Sequence, residues 1–168
     1  PENKLLYRTV LPEHAKAEAV PEGVTGAVIV EATDWLEDNQ WVLDLVKHNP
    51  KRYIGLVGNL PIGTPQFAKH LERFAKDERF VGLRLRSWPE GVSGFNDDVW
   101  RDLKLLSDKG LSLDVLMANF NLDDIVLIAK RLPKLKILIN HLTGLIINGV
   151  PAEAAWPEWR ARPAKERA

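Results

Sequence analysis

The stretch LPKLKILINHLTG, residues 132–144, decides how this chain is read. Four of the five residues Leu135 to Ile139 are apolar, as in a buried strand. The run then stops on Asn140 and His141, followed by Thr143 and Gly144. In a parallel α/β sheet the loops that follow the strands reach over the sheet at its carboxyl edge, and polar side chains placed there can act together. The meaning of His141 therefore depends on whether other strands end the same way.

Four more short apolar runs lie upstream, and with the last they make five: GAVIVEA (26–32), YIGLVGNL (53–60), FVGLRLR (80–86), LSLDVLM (111–117) and KILINHL (136–142). The segments between them carry helical periodicity. Asp34 and Glu37 stand at capping-box spacing ahead of a helix bearing Trp41, Val42 and Leu45. Thr64 and Pro65 make an N-cap and first-turn pair before Phe67, Leu71 and Phe74. Asn96 opens a helix striped by Val99, Leu103 and Leu106 that Gly110 closes. Asn121 opens another, with Ile125, Ile128 and Ala129 inward, and a short helix is expected around Pro12 to Ala19. Five alternations of strand and helix, repeating every 25 to 30 residues or so, predict βαβ units and a parallel sheet. Strand order separates the arrangements that fit this pattern: sequential 1-2-3-4-5, or the 2-1-3-4-5 of a flavodoxin-like open sheet.

The 168 residues suit one domain with a sizeable core. Basic and acidic residues balance at 23 each, so neither nucleic acid nor an anionic membrane is indicated as partner. The chain has no cysteine, which excludes disulfides and thiol catalysis. No apolar run approaches the roughly 20 residues of a membrane span. A chain that begins at Pro1 is expected to be processed or a piece of something longer. Cytoplasmic placement is the default, with a signal peptide upstream of Pro1 left open. Residues 1–150 read as one domain and 151–168 (PAEAAWPEWRARPAKERA) as a charged tail that drops out of the pattern. The oligomeric state is not set by these features.

The strand ends supply Glu31, Asn59, Arg84 with Arg86, Asp114 within its strand, and Asn140 with His141. Residues two apart share a face. Gly82, Arg84 and Arg86 are thus grouped, as are Ser112 with Asp114, and Ile137 and Ile139 with His141. Arg84 sits deeper than Arg86, and an ion pair of either with Asp114 is the structural alternative to a ligand-binding role. Glu31 has a structural alternative too, as a cap or a partner of a lysine. Trp88 and Pro89 are placed to wall a pocket, while Trp35, Trp41 and Trp100 read as packing residues. His14, His48 and His70 read as surface residues. No Gly-x-Gly-x-x-Gly, Walker loop or Gly-x-Ser-x-Gly elbow occurs, and no lysine ends a strand. Attack by an activated water is the hydrolytic chemistry left.

The segments LYRTVLPE, GVTGAVIVEA, EDNQWVLDLV, YIGLVGNL, FVGLRLR, GLSLDVL and LPKLKILINHL, in that order, resemble the amidohydrolase-related family. This branch of the amidohydrolase superfamily includes sugar lactonases and pyrone-dicarboxylate lactonase, and the likeness runs over residues 5–142. It implies a (β/α)8 barrel that hydrolyses lactones or amides, with a divalent metal (zinc or manganese) in the parent protein. It implies that His141 serves as metal ligand or substrate contact and that Arg84 lies near a substrate carboxylate. Glu31 and Asn59 match pocket-facing strand ends; Arg86 and Trp88 join them as substrate-binding candidates from their own placement. The His-x-His of the family's first strand is absent, and so is the aspartate of its last strand. The chain therefore resembles the second to sixth strands of the barrel, which implies that residues 1–150 are a partial barrel domain and 151–168 a truncated tail. On this reading the parent is a hydrolase of small molecules, and the isolated chain is expected to be inactive and to hold no metal tightly. The alternative is a non-catalytic α/β domain that binds a small ligand.

Overall fold

The computed structural model describes residues 8–88, 90–116 and 121–141. The expected tail of residues 151–168, and Pro89, lie outside them. Five strands form: β1 Ala27–Val30, β2 Tyr53–Gly58, β3 Phe80–Leu85, β4 Ser112–Val115 and β5 Lys136–Ile139. All neighbours pair in parallel, in the order β1-β2-β3-β4-β5. The YIGLVGNL strand lies between β1 and β3, which excludes the flavodoxin order. Five parallel strands in sequential order, with an α-helix in each connection between them, are the arrangement of an incomplete (β/α)8 barrel.

Helix α1 (Pro12–Ala19) precedes β1, and α2 (Asp38–Val46), α3 (Phe67–Phe74), α4 (Asp97–Asp108) and α5 (Leu122–Arg131) connect successive strands. The core forms where their apolar faces meet the sheet. Phe67, Leu71 and Phe74 of α3 and Leu103 and Leu106 of α4 are nearly inaccessible, as are Phe80, Leu83 and Leu113 of the strands. Each such side chain contributes about 1.5–3 kcal/mol by leaving water. Phe74 and Phe80 stack with centroids 5.7 Å apart.

Two of the expected helix starts hold at the atomic level. The Asn96 side chain accepts from Val99 N at 3.0 Å, and Asn121 and Asp124 exchange reciprocal side-chain-to-backbone bonds at 3.0 Å each. Gly110, with φ +70°, turns the chain out of α4. The other two starts shift toward the carboxyl end. Helix α2 begins at Asp38 behind Glu37, because Trp35 to Glu37 form a separate turn closed by Asp38 N to Trp35 O at 3.1 Å. Thr64 donates its hydroxyl to Pro61 O at 2.7 Å instead of capping α3, which begins at Phe67.

The faces of α2 differ from expectation as well. It buries Asn39, Val42, Leu43 and Val46 and leaves Trp41 exposed. Trp35 is exposed too, and Ala129 of α5 faces outward while Ile125 and Ile128 are buried. No described helix is long and apolar enough to cross a membrane.

The sheet's inner face is set by register. Gly82 pairs with Ser112 and Arg84 with Asp114, so the charged layer expected from alternation is real. Gly82 is there because β4 passes close: a Cβ would lie 2.7 Å from the Ser112 carbonyl oxygen.

Candidate functional site

A cleft of about 320 Å³ opens at the carboxyl ends of β2 and β3. Leu60, Pro61, Ile62 and Trp88 form its apolar walls, and Asp34, Asn59, Arg84 and Arg86 offer polar atoms. The loop after β2 supplies the first wall. It is held from behind by Asp102, a fully buried carboxylate on α4 whose Oδ2 accepts from Gly63 N at 2.8 Å. The loop after β3 supplies the second. Trp88 donates its indole N–H to Gly94 O at 3.2 Å and meets Phe95 edge-on at 5.3 Å, which fixes the ring as a wall.

Under the cleft lies Glu31, one residue past β1, with its side chain 1% exposed. Arg86 reaches it across β2, donating Nε–H to Oε1 at 2.9 Å and to Oε2 at 3.0 Å, and an Nη2 hydrogen to Oε2. This pairing holds the Arg86 guanidinium above its ordinary pKa, with a smaller contribution from the charge of Asp34. Arg84, the deeper arginine as expected, places Nε 3.9 Å from Glu31 Oε1. That Nε is buried and makes no hydrogen bond among the described residues. The ion pair considered between these arginines and Asp114 is therefore replaced by one with Glu31, two strands away. A carboxylate just past β1 and a guanidinium just past β3 thus meet across β2.

Asn59 lines the cleft, but its amide nitrogen is committed: Nδ2 donates to Thr33 O at 2.9 Å and to Trp35 O at 3.3 Å. It is itself pinned by Asn39, which donates to Asn59 O at 2.7 Å and accepts from Asn59 N at 3.0 Å. The residue thus ties the loop after β1 to the end of β2.

On the far side of β3, Asp114 is buried, with Ser112 Oγ 3.4 Å from its Oδ1 and Asn140 Nδ2 donating to its Oδ2 at 3.2 Å. His141 follows Asn140 just beyond β5. Ile137 and Ile139 pack against the helix-side core, so strict alternation would turn His141 the same way. The strand ends first. His141 adopts φ 51°, the only positive φ of a non-glycine residue among the described residues, and the side chain is exposed. Such a conformation costs about 1 kcal/mol or more and persists only where neighbouring contacts impose it.

The structure thus gathers Glu31, Asn59, Arg84, Arg86 and Trp88 around one cleft, whereas His141 is not among its lining residues. The link to β5 runs through Arg84, its register partner Asp114, and Asn140. Sequence reasoning missed Asn39 and Asp102. Asn39 had a readable signal, since it lies on the stripe of Val42, Leu43 and Val46 at helical spacing, where an amide needs partners. Among the described residues no three His, Asp or Glu side chains come together as metal ligands. Both oxygens of Glu31 are engaged by Arg86, and Asp114 is turned to Ser112 and Asn140. The donor set described does not fit a divalent ion.

Comparison with known proteins agrees with this architecture. The amidohydrolase (Amidohydro_2) family model matches residues 1–167. The chain is similar to the L-fucono-1,5-lactonase of Burkholderia ambifaria, at 24% identity over 81% of this chain and 47% of that protein. In fold it is similar to a zinc-bound amidohydrolase from Burkholderia multivorans (TM-score 0.68, 19% identity, 81% of this chain and 48% of that one). It is also similar to a probable 2-pyrone-4,6-dicarboxylic acid hydrolase from Acinetobacter baumannii with citric acid bound (TM-score 0.58, 14% identity, 80% of this chain and 51% of that one). The chain spans about half the length of these relatives. With its five sequential parallel strands and its match along nearly the whole length, the chain belongs to the amidohydrolase family.

Proposed function

We propose that the protein carrying this chain is a hydrolase that opens a lactone or a related cyclic ester or amide by attack of water. The observation that carries the reading is the cleft at the carboxyl ends of β2 and β3, where the guanidiniums of Arg84 and Arg86 stand between two apolar walls. Membership in a family with a lactonase relative and a pyrone-dicarboxylate hydrolase fold neighbour supports it. Arg84 meets a substrate carboxylate or hydroxyl with its terminal N–H groups. Trp88 and Ile62 press on the ring. Asn59 and Arg86 complete the polar lining. His141, beyond β5 and two strands from β3, contacts the substrate carbonyl or, with ligands from outside the described residues, a metal. A zinc or manganese ion in the parent would need ligands from outside the described residues.

For the chain by itself the reading is negative. His141 alone cannot build a three-ligand catalytic site. Calorimetric titration with zinc or manganese, together with a lactone-opening pH assay, is expected to show neither tight binding nor turnover. Stoichiometric binding that disappears in His141→Ala, or turnover above background, would contradict this. The second reading, a domain that binds a small ligand without chemistry, draws support from the engagement of Glu31 and Asp114. Neither carboxylate stands free to take a proton from water.

A further inference from the structure

Glu31 is a buried carboxylate facing two arginines beneath a cleft that otherwise offers its cations to a ligand. Its side chain is 1% exposed, both oxygens accept from Arg86, and Arg84 Nε lies 3.9 Å away. Around the cleft two guanidiniums (Arg84, Arg86) therefore stand against two carboxylates (Glu31 below, Asp34 at the rim), and formal charge balances before any ligand arrives. A carboxylate ligand seeking both arginines would have to displace Glu31. That side chain has nowhere to go, because leaving it buried without its partner carries a large desolvation penalty.

We infer that Glu31 is a specificity-determining residue: an internal counter-ion that occupies the arginine pair and turns the cleft against ligands with two carboxylates. The inference rests on the reading of this cleft as the ligand site. It assigns Glu31 a role exercised through the arginines, not by contact with substrate. Arg86 serves chiefly to satisfy Glu31, and Arg84 keeps only its outer N–H groups for a ligand. A neutral, hydroxyl-bearing ring fits such a balance, because hydroxyls can accept from Arg84 without competing for a full ion pair.

The test uses succinate as a probe, titrated into the full chain and followed by NMR. Glu31→Gln preserves the shape of the side chain but removes its charge. The variant should bind succinate about tenfold more tightly than the wild type, a gain that shrinks with added salt and vanishes in Glu31→Gln with Arg84→Gln. A residue with only a structural role would lower stability and leave succinate affinity unchanged. If Glu31→Gln does not fold, Glu31→Gln with Arg86→Gln keeps a hydrogen-bonded amide pair and frees Arg84, and a gain of about threefold is expected. A folded variant that binds succinate no better than the wild type overturns the inference, as does failure of both variants to fold, which would leave Glu31 a structural counter-ion. A gain whose shift changes map away from Asn59, Arg84 and Trp88 overturns the cleft as ligand site, and the inference with it.

Discussion

Asn39→Leu is the substitution whose cost follows most directly from the contacts. Asn39 is 2% exposed on the inner face of α2. Its amide donates to Leu36 O at 2.9 Å and Asn59 O at 2.7 Å and accepts from Asn59 N at 3.0 Å. Leucine keeps the branching and the number of side-chain heavy atoms, so no cavity is left. What is lost is three hydrogen bonds, which strands the N–H and C=O of Asn59, while the carbonyl of Leu36 keeps the backbone N–H of residue 39 at 3.4 Å. An unmet buried polar group costs about 1–3 kcal/mol. Asn59 is only half-buried and water meets part of its need, so the expected loss is about 2–4 kcal/mol. A domain of this size has about 5–15 kcal/mol in total. Urea unfolding should show the midpoint falling with little change in slope. Hydrogen exchange should quicken at the Asn59 amide before it does so in the core of β3. Asn39→Asp sharpens the comparison: it keeps the acceptor for Asn59 N but sets a carboxylate against two carbonyl oxygens, and it should be no better tolerated. A loss below about 0.5 kcal/mol for Asn39→Leu, within the range of an ordinary surface change, would refute the reasoning.

Three further outcomes follow from local geometry. Gly82→Ala should destabilise by about 1–3 kcal/mol, because the added Cβ would press on the Ser112 backbone of β4; thermal unfolding unchanged from wild type would contradict the close approach. Asn121→Ala should cost about 1 kcal/mol in urea unfolding, through loss of the reciprocal cap on α5, and equal stability would contradict it. Asp77 is held below its ordinary pKa of 3.8, first by its side-chain hydrogen bond with Arg79. The stability it contributes is therefore present above that value and lost as pH falls through the lower folded-state pKa. Asp77→Asn should be less stable than wild type near neutral pH, by up to about 1 kcal/mol, and the gap should close in strong acid. A gap that persists at about pH 2 would contradict the assignment.

The strands were legible because a parallel sheet covered by helices needs continuous apolar, β-branched runs, and all five such runs became strands. The starts of α4 and α5 were legible because Asn96 and Asn121 act within three residues of their own position. At α2 and α3 the same local chemistry was outweighed. Trp35 to Glu37, and Pro65 with Gln66, are used in turns that place the loops at the cleft, so the helices begin later. The arginine partner was not legible. Adjacent strands suggested Asp114, but the stagger of β1 against β3 brings Glu31 to Arg86 across the end of β2, and stagger has no signature in a single run of residues. His141 was legible as a strand end, while its left-handed backbone was not. Alternation carried past Ile139 would have placed the ring on the helix side.

The central claim is that these strand ends serve water attack on a cyclic ester in the parent protein. The most direct measurement is the rate of ring opening of an aldono-1,5-lactone by that protein, followed by proton release, for wild type, Arg84→Met and His141→Ala. The account predicts turnover by the wild type and a fall in kcat/KM of about a hundredfold or more in each variant, with the fold intact. No turnover of the lactone by the wild type, or full activity in His141→Ala, would contradict it.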